Sequence, residues 1–165
     1  MKKFLPLLAL AAIGISIAAP DGPANTLTAK EKSQGWKLLF DGTTLNGFVP
    51  QGKAQWKVVD GTLRAEGGGG WLATKDDYSN FQLRVDFRTS APNINSGIYI
   101  RRARQDGDSH QIGYELQIRN PAPGDKAYDG KKVLDDHHPD FKSGAIGLQR
   151  TGQDIEFRSI KIKPL

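Results

Sequence analysis

Apolar and polar residues alternate along most of the chain from Gly35 onward, in short runs that turn residues interrupt. A period of two is typical of a β-strand with one face in a core and the other in solvent. The pattern predicts strands at 36–40, 55–59, 62–65, 71–73, 81–88, 96–101, 113–118, 144–150 and 155–163. Many short strands separated by frequent turns indicate an all-β sandwich of antiparallel sheets.

Two local features refine this pattern. Asp60-Gly61 is a strong hairpin turn sequence between the strands predicted at 55–59 and 62–65. In the last strand the inward set changes from Ile155 and Phe157 to residues 160 and 162, which predicts a β-bulge near Arg158. In the strand at 81–88 the residues predicted to face inward are Phe81, Leu83, Val85 and Phe87. No amphipathic helix is predicted beyond a single turn at 75–79.

The N-terminal residues have the composition of a secretory signal peptide. Lys2 and Lys3 precede an apolar run, and small residues occupy both positions that a signal peptidase recognises in Ser16-Ile17-Ala18. The run is too short for a convincing membrane span, although an uncleaved anchor is the alternative. We therefore expect a signal peptide at 1–18, a linker or loose N-terminal arm at 19–34, and one domain at 35–165. A periplasmic or secreted location follows.

Charge and cysteine content limit the partners of the exported domain. Removal of Lys2 and Lys3 lowers the formal net charge from +5 to +3, and the remaining basic residues are interspersed with acids. This distribution argues against nucleic acid as a partner, and we expect no membrane contact after cleavage. Cysteine is absent, so the core or a bound ion must stabilise the domain without disulfides. The sequence does not indicate an oligomeric state.

The strands at 96–101 and 113–118 each place polar side chains opposite an apolar set. Tyr99 and Arg101 alternate with isoleucines in the first, and Glu115 and Gln117 alternate with apolar residues in the second. If both apolar sets face one core, an acid, an amide, a phenol and a guanidinium group line the opposite surface. Such a surface is suited to binding sugar hydroxyls.

The order and spacing of several segments resemble the 3-keto-disaccharide hydrolase domain family. They include Gly-Trp-Lys-Leu-Leu-Phe-Asp-Gly at 35–42 and Gly-Tyr-Glu-Leu-Gln-Ile at 113–118, and the others lie at 56–61, 67–72, 81–87, 95–98, 144–149 and 156–158. The resemblance covers residues 35–165 and implies a concanavalin-like jelly-roll sandwich of two antiparallel sheets. It also implies activity on 3-keto-glycosides.

The chain departs from that family in one internal segment. Family members carry further strands between the segments that resemble 114–118 and 129–133, whereas here only residues 119–128 separate them. Either this is a compact variant with fewer strands, or an internal deletion has removed part of a sheet.

The number of carboxylates argues against ordinary glycoside hydrolysis, which uses two acids that flank the scissile bond. The strand at 113–118 offers Glu115 alone, with Gln117 where a second acid would stand. A 3-keto sugar can be cleaved with fewer carboxylates, because its carbonyl acidifies the neighbouring C2–H. One base can remove that proton, the oxygen at C1 leaves by β-elimination, and water adds afterwards.

The resemblance and the residues together assign provisional roles on this route. Glu115 is the base or a metal ligand, Arg101 is the cationic stabiliser, and His110 is a candidate proton carrier. The predicted substrate-binding residues are Gln117, Asn95 and Tyr99, which would hold hydroxyls, and Trp71, which would stack on a sugar ring. The alternative is that Glu115 and Arg101 form only a cross-strand ion pair on a solvated sheet.

No cofactor is firmly indicated, and a divalent metal ion is the one candidate. Its ligands would come from the acidic and histidine residues of the segment 135–140, namely Asp135, Asp136, His137, His138 and Asp140. A solvated turn is the favoured interpretation of that segment, since neighbouring histidines outside a helix point apart. Gly67–Gly70 lacks the Lys-Ser/Thr pair of a phosphate loop and is interpreted as a flexible turn that lets Trp71 lie flat.

These features favour hydrolase-type cleavage of 3-keto-glycosides or 3-keto-disaccharides by base-assisted elimination and hydration. A non-catalytic carbohydrate-binding module is the alternative, since the face carries a single carboxylate. A truncated remnant without a stable fold is a third interpretation. Whether the protein is an enzyme stays open at this point.

Overall fold

The computed structural model describes residues 23–89, 94–103, 113–119 and 142–165. These ranges contain one helix, α1 (Ala29–Ser33), and eight strands: β1 (Lys37–Leu38), β2 (Phe48–Val59), β3 (Thr62–Thr74), β4 (Phe81–Thr89), β5 (Asn95–Arg102), β6 (Tyr114–Arg119), β7 (Ala145–Arg150) and β8 (Ile155–Pro164). Every strand pair is antiparallel. The predicted all-β fold class is therefore confirmed. Within the described ranges no helix has the length and apolar character needed to cross a membrane.

Strand β3 joins two groups of strands into one curled sheet. Its first half pairs with β8 at Leu63 and Arg64, and its second half pairs with β7 at 70–73. The sheet order is β1-β8-β3-β7-β5-β6, with β2 paired to β3 and β4 paired to β8. Because one strand takes part in both groups, the sheet folds over and the core lies between its two parts. The core includes Phe40, Phe48, Trp56, Leu63, Leu72, Ile98, Ile118, Ile146, Leu148, Ile155, Phe157, Ile160 and Ile162.

The glycine run of β3 lies inside the strand, so its interpretation as a flexible turn was wrong. Gly52 pairs with Gly70 and Ala54 pairs with Gly67, which leaves two glycines of β3 opposite the single residue Lys53. This is the geometry of a β-bulge. A Cβ atom at Gly70 would lie 2.3 Å from the carbonyl oxygen of Gln51, so the two strands approach too closely for any side chain there.

That bulge changes which residues of β3 face the core. Leu63 and Ala65 are buried in the core before the bulge, and Leu72 is buried there after it. The inward positions therefore change from odd to even numbers. As a result, Trp71 lies on the side of the sheet opposite to Leu72.

The predicted hairpin turn and the predicted bulge of β8 are both confirmed. Asp60 and Gly61 have φ values of 49° and 72° and connect the paired residues Val59 and Thr62, as a two-residue turn with two positive φ angles requires. In β8 the register against β4 shifts next to Arg158, and the following residue, Ser159, has φ 50°. The buried set accordingly changes from 155 and 157 to 160 and 162.

Of the four residues predicted to face inward in β4, Phe81, Leu83 and Val85 pack against the core, and Phe87 is exposed. Leu83 pairs with Ile162 and Phe87 pairs with Phe157, and both partners are fully buried in the core. Phe87 itself is 46% exposed. Within the described residues β4 pairs with β8 alone, so Phe87 lies on a strand at the margin of the sheet.

The residues before β1 are attached to the sheet, which differs from the expected loose arm. The Asn25 side chain donates to the carbonyl oxygen of Gly61 at 2.8 Å and accepts from the Ser159 amide at 2.8 Å. Helix α1 begins at a capping box, in which Thr28 and Glu31 each bond the other's backbone amide. This helix was not predicted, although its Thr-x-x-Glu start is visible in the sequence. The expected turn of helix at 75–79 does not form.

A buried ion pair fastens α1 to β8. Glu31 accepts a hydrogen bond of 2.8 Å from Lys161 Nζ, and both side chains are buried. Arg84 Nη1 lies 3.3 Å from the same carboxylate oxygen. The hydrogen bond from Lys161, helped by those from Thr28, lowers the pKa of Glu31 to about 2. The N-terminal arm is therefore part of the folded unit.

We predict that Glu31→Gln destabilises the protein by about 3 kcal/mol, because it leaves the buried Lys161 ammonium without a counter-charge. Urea unfolding measures this loss. Glu66→Gln is the matched control, since Glu66 is exposed in its pair with Lys57 and solvent screens exposed ion pairs, which therefore contribute little to stability. Equal effects of the two substitutions would contradict the assignment of α1 to the folded unit.

The same pair predicts a specific pH dependence of stability. The folded-state pKa of Glu31 is lower than its unfolded value, so its contribution is present above about pH 4.3 and is lost as the pH falls towards about 2. The unfolding free energy of the native chain should therefore fall more steeply in this window than that of the Glu31→Gln variant.

Candidate functional site

A phenol and a carboxylate meet across the pairing of β5 and β6. Tyr99 stands directly opposite Glu115, and Tyr99 Oη donates a hydrogen bond of 2.8 Å to Glu115 Oε2. Tyr99 is buried, whereas Glu115 is only half-buried. Burial raises the pKa of the Tyr99 phenol, and the hydrogen bond to Glu115 raises it further. Tyr99 therefore stays protonated and holds the carboxylate in one orientation.

A glycine makes room for that carboxylate. A Cβ atom at Gly97 would lie 2.1 Å from Glu115 Oε1 and 2.7 Å from its Cγ. The Glu115 side chain thus lies across the backbone of Gly97, two residues before Tyr99 on the same face of β5. Any other residue at this position would displace it.

Asn95 and Gln117 come together at the exposed end of the same strand pair. Gln117 stands opposite Gly97, and its Nε2 donates to Asn95 Oδ1 at 2.8 Å and to the Ser96 carbonyl oxygen at 2.9 Å. Both amide side chains are exposed. Their substrate-binding role stays a prediction, and the structure supplies the proximity that this role requires.

The guanidinium group nearest to Tyr99 belongs to Arg102, which corrects the expected placement of Arg101. Tyr99 pairs with Gly147 and Arg102 pairs with Ala145, so β5 contains one extra residue between them. Arg101 has φ 52° within this bulge, and its side chain bonds the Ser79 carbonyl oxygen at 3.0 Å. The bulge shifts the alternation by one, and Arg102 takes the side of the sheet that Arg101 would occupy in a regular strand.

Arg102 is a buried cation held between aromatic rings. Its Cζ lies 4.2 Å from the centroid of the Trp71 ring and 5.8 Å from that of the Tyr99 ring, within range of cation–π attraction. A Cβ atom at Gly147 would lie 3.1 Å from Arg102 Cδ, so the glycine also makes room for this side chain. Burial lowers the pKa of Arg102. Its Nε has no hydrogen-bond partner among the described residues.

Trp71 lies on this side of the sheet, but its ring is not an open platform for a sugar. Arg102 covers it, Tyr99 packs edge-on at 6.1 Å between centroids, and only 6% of Trp71 is exposed. Its role as a binding residue stays a prediction. Stacking would require the guanidinium group to move.

Gln149 is a site residue that the sequence analysis missed. It stands opposite Trp71 on β7, is 4% exposed, and donates from Nε2 to Tyr99 Oη at 3.4 Å. The alternation of β7 contained the necessary information, because inward Ile146 and Leu148 leave Gln149 on the outward face. We call the set Trp71, Tyr99, Arg102, Glu115 and Gln149 the Tyr99 face.

Two other predicted elements lie outside the described residues, namely His110 and the metal-binding segment 135–140. In the described ranges no three His, Cys, Asp or Glu side chains group as metal ligands would. The acids Asp86 and Glu156 form ion pairs with arginines of β3, β4 and β8. Asp86 and Glu156 are therefore paired elsewhere in the sheet, and Glu115 is the acid among the residues of the Tyr99 face.

Comparison with known families gives one domain match. Residues 35–127 match the model of the 3-keto-alpha-glucoside-1,2-lyase-like domain. The matched range includes both strands of the Tyr99–Glu115 pair and ends before β7.

Individual proteins with similar sequence or structure come from Bacteroides thetaiotaomicron and Parabacteroides distasonis. The chain is 27% identical over 150 residues to the 3-keto-disaccharide hydrolase of Bacteroides thetaiotaomicron; the match covers 81% of this chain and 49% of that protein. The chain thus spans about half the length of the curated relative that it matches.

Two solved structures share the fold, and both are of proposed glycosyl hydrolases from Parabacteroides distasonis. One superposes with a TM-score of 0.64 at 19% identity, covering 87% of this chain and 100% of the other. The second has a TM-score of 0.56 at 22% identity, covering 79% and 99%. These identities support the fold alone.

The Gly97 geometry predicts a coupling that a double-mutant cycle can measure. Gly97→Ala should cost about 1–3 kcal/mol of stability, because the new methyl group overlaps the Glu115 carboxylate. In a Glu115→Ala background the same substitution should cost much less. Gly69→Ala is the control, since a Cβ atom there meets a carbonyl oxygen at an ordinary 3.4 Å. Equal costs of Gly97→Ala in both backgrounds would show that Glu115 does not lie across Gly97.

Proposed function

Because the chain belongs to the family of 3-keto-alpha-glucoside-1,2-lyase-like domains, we propose that it cleaves the glycosidic bond of 3-keto-glycosides at the Tyr99 face. The observation that carries this proposal is the half-buried Glu115 carboxylate, oriented by Tyr99 and lying across Gly97. The name of the 3-keto-disaccharide hydrolase relative supports the same substrate class.

Glu115 acts as the base in the proposed reaction. It removes the proton from C2, which the neighbouring ketone acidifies, and the electron pair moves to form an enolate at C3. Collapse of the enolate forms a C1=C2 double bond and expels the oxygen at C1, which takes the proton from Glu115. Water then adds to C1 and a proton returns to C2, so the sum of the steps is hydrolysis. A single carboxylate is sufficient for this sequence.

Arg102 stabilises the enolate in this scheme. A buried cation in a water-poor site interacts with developing negative charge more strongly than an exposed one. Arg102 is buried beside Tyr99 and retains an unpartnered Nε–H among the described residues, whereas Arg101 bonds the backbone at Ser79. We therefore transfer to Arg102 the role first assigned to Arg101.

The site of action is also part of the proposal. Lys2, Lys3 and the apolar run that follows them support export to the periplasm or the exterior, where oxidised oligosaccharides would be met. Asn95 and Gln117, exposed beside Glu115, are proposed to bind hydroxyl groups of the keto sugar.

The first test replaces the base. Glu115→Gln should lower kcat on a 3-keto-disaccharide by at least about 100-fold, because the amide cannot accept the C2 proton. The melting temperature and circular dichroism should stay close to those of the native chain. Glu66→Gln, on an exposed position of β3, is the control and should keep native turnover.

The outcome also separates the enzyme from its main alternative. If the native chain binds unmodified glycans saturably and releases no product from 3-keto-glycosides, the protein is a carbohydrate-binding module. If Glu115→Gln retains native turnover, Glu115 takes no part in the chemistry.

A second test compares the two neighbouring arginines. Arg102→Lys should lower kcat by about 100-fold, the loss typical of one donor to a developing oxyanion, since lysine cannot reproduce the planar group over Trp71. Arg101→Lys should have a smaller effect. A larger loss in Arg101→Lys would return the stabilising role to Arg101.

A further inference from the structure

Strand β4 has one open edge among the residues that the structure describes. It pairs with β8, and β8 uses its opposite edge to pair with β1 and β3. The backbone N–H and C=O groups along an open edge can bind a further strand. The register shift between β4 and β8 comes from an extra residue in β8, so the nine residues of β4 form a regular strand.

Another long strand at a margin of the described sheet, β2, carries features that protect an edge, and β4 does not. Pro50 lies within β2 and has no N–H to donate, and Gly52 has φ 81°, which interrupts the extended backbone. Strand β4 contains neither proline nor glycine, and the ring of its Phe87 is exposed. The open edge of β4 is therefore better suited to pairing than that of β2.

The sequence of β4 is complementary to itself in the antiparallel direction. A two-fold axis at Val85, the central residue of the strand, pairs all nine residues of one copy with the nine of a second copy. Directly opposed residues share a face of the sheet. On the inward face Leu83 then opposes Phe87 of the second copy. On the outward face Arg84 opposes Asp86 of the second copy, and each of these pairs occurs twice.

The charges of β4 favour this register over the two next to it. An axis at Arg84 would place two guanidinium groups opposite each other, and an axis at Asp86 would place two carboxylates opposite each other. At the Val85 axis the opposed charges are unlike. The side chains of Arg84 and Asp86 are 50% and 60% exposed, so both are accessible to a second copy in addition to their partners within the chain.

We propose that two copies of this chain associate through their β4 edges and form one continuous antiparallel sheet with two-fold symmetry. The exposed Phe87 ring packs against Leu83 of the second copy, so apolar surface that β4 leaves in water becomes buried. Arg84 and Asp86 set the register. No residue of the Tyr99 face lies on β4, and the inference is therefore independent of the proposed function.

Analytical ultracentrifugation over a range of concentrations tests the association. The native chain should form a dimer, and Phe87→Lys should raise the dissociation constant at least about tenfold, because it replaces an aromatic anchor of the interface with a charge. Val49→Lys, at an exposed apolar position of β2, is the matched control and should dimerise as the native chain does. A native chain that stays monomeric, or equal weakening by both substitutions, overturns the inference.

Disulfide cross-linking tests the register and does not require a substitution that weakens the fold, because the chain has no cysteine of its own. Val85→Cys places the thiol on the two-fold axis, so mild oxidation should give a covalent dimer. Leu83→Cys alone should not, since its two copies lie about 14 Å apart along the strands, beyond the reach of a disulfide. An equal mixture of Leu83→Cys and Phe87→Cys should cross-link. A covalent dimer of Leu83→Cys alone, or none of Val85→Cys, would contradict the proposed pairing.

Discussion

The register of β5 between β6 and β7 is the constraint on which the candidate site depends. Tyr99 pairs with Glu115 on one side and with Gly147 on the other. A slip of one residue would turn Tyr99 into the core and bring Ile98 to the outer face. The apolar partners Ile98 and Leu148, both buried in the core, oppose such a slip. The hydrophobic core thereby fixes the geometry of the polar side.

Bulges then select which further side chains join Tyr99. The glycine bulge of β3 brings Trp71 to the outer face, and the bulge at Arg101 brings Arg102 there. The two residues meet as a guanidinium group over an indole ring at 4.2 Å. Each bulge inserts one residue and so reverses the alternation beyond it. The composition of the Tyr99 face is therefore determined by two local irregularities in otherwise regular strands.

The alternation of the sequence was sufficient to predict the regular parts of this fold. It predicted a strand at each position where the structure has one, together with the Asp60-Gly61 turn and the bulge of β8, where the apolar set itself changes phase. It did not predict the first half of β2, and it divided β3 into two strands. It could not predict the bulge of β5, because the sequence of Ile100, Arg101 and Arg102 shows no shift in the alternation of apolar and polar residues. The bulge of β3 could not be predicted either, because glycines have no side chains and the alternation cannot be followed through them.

The candidate site was predictable to a similar extent. Glu115, Tyr99, Gln117 and Asn95 lie together because two regular strands carry them. Arg102 and Gln149 were not predicted. The bulge moves Arg102 to the outer face, and Gln149 lies on the outward side of a strand whose apolar residues Ile146 and Leu148 carry its pattern. Helix α1 was missed for another reason: it is short and is held by the buried Glu31–Lys161 pair, a tertiary contact that no local pattern shows.

The most direct test of Glu115 as the base is hydrogen exchange at C2 of the substrate. In deuterated water the native chain should release a 3-keto sugar that carries solvent deuterium at C2, and Glu115→Gln should abolish both release and incorporation. Release of a product that retains its original C2 hydrogen would contradict elimination. Deuterium incorporation that persists in Glu115→Gln would contradict the assignment of the base.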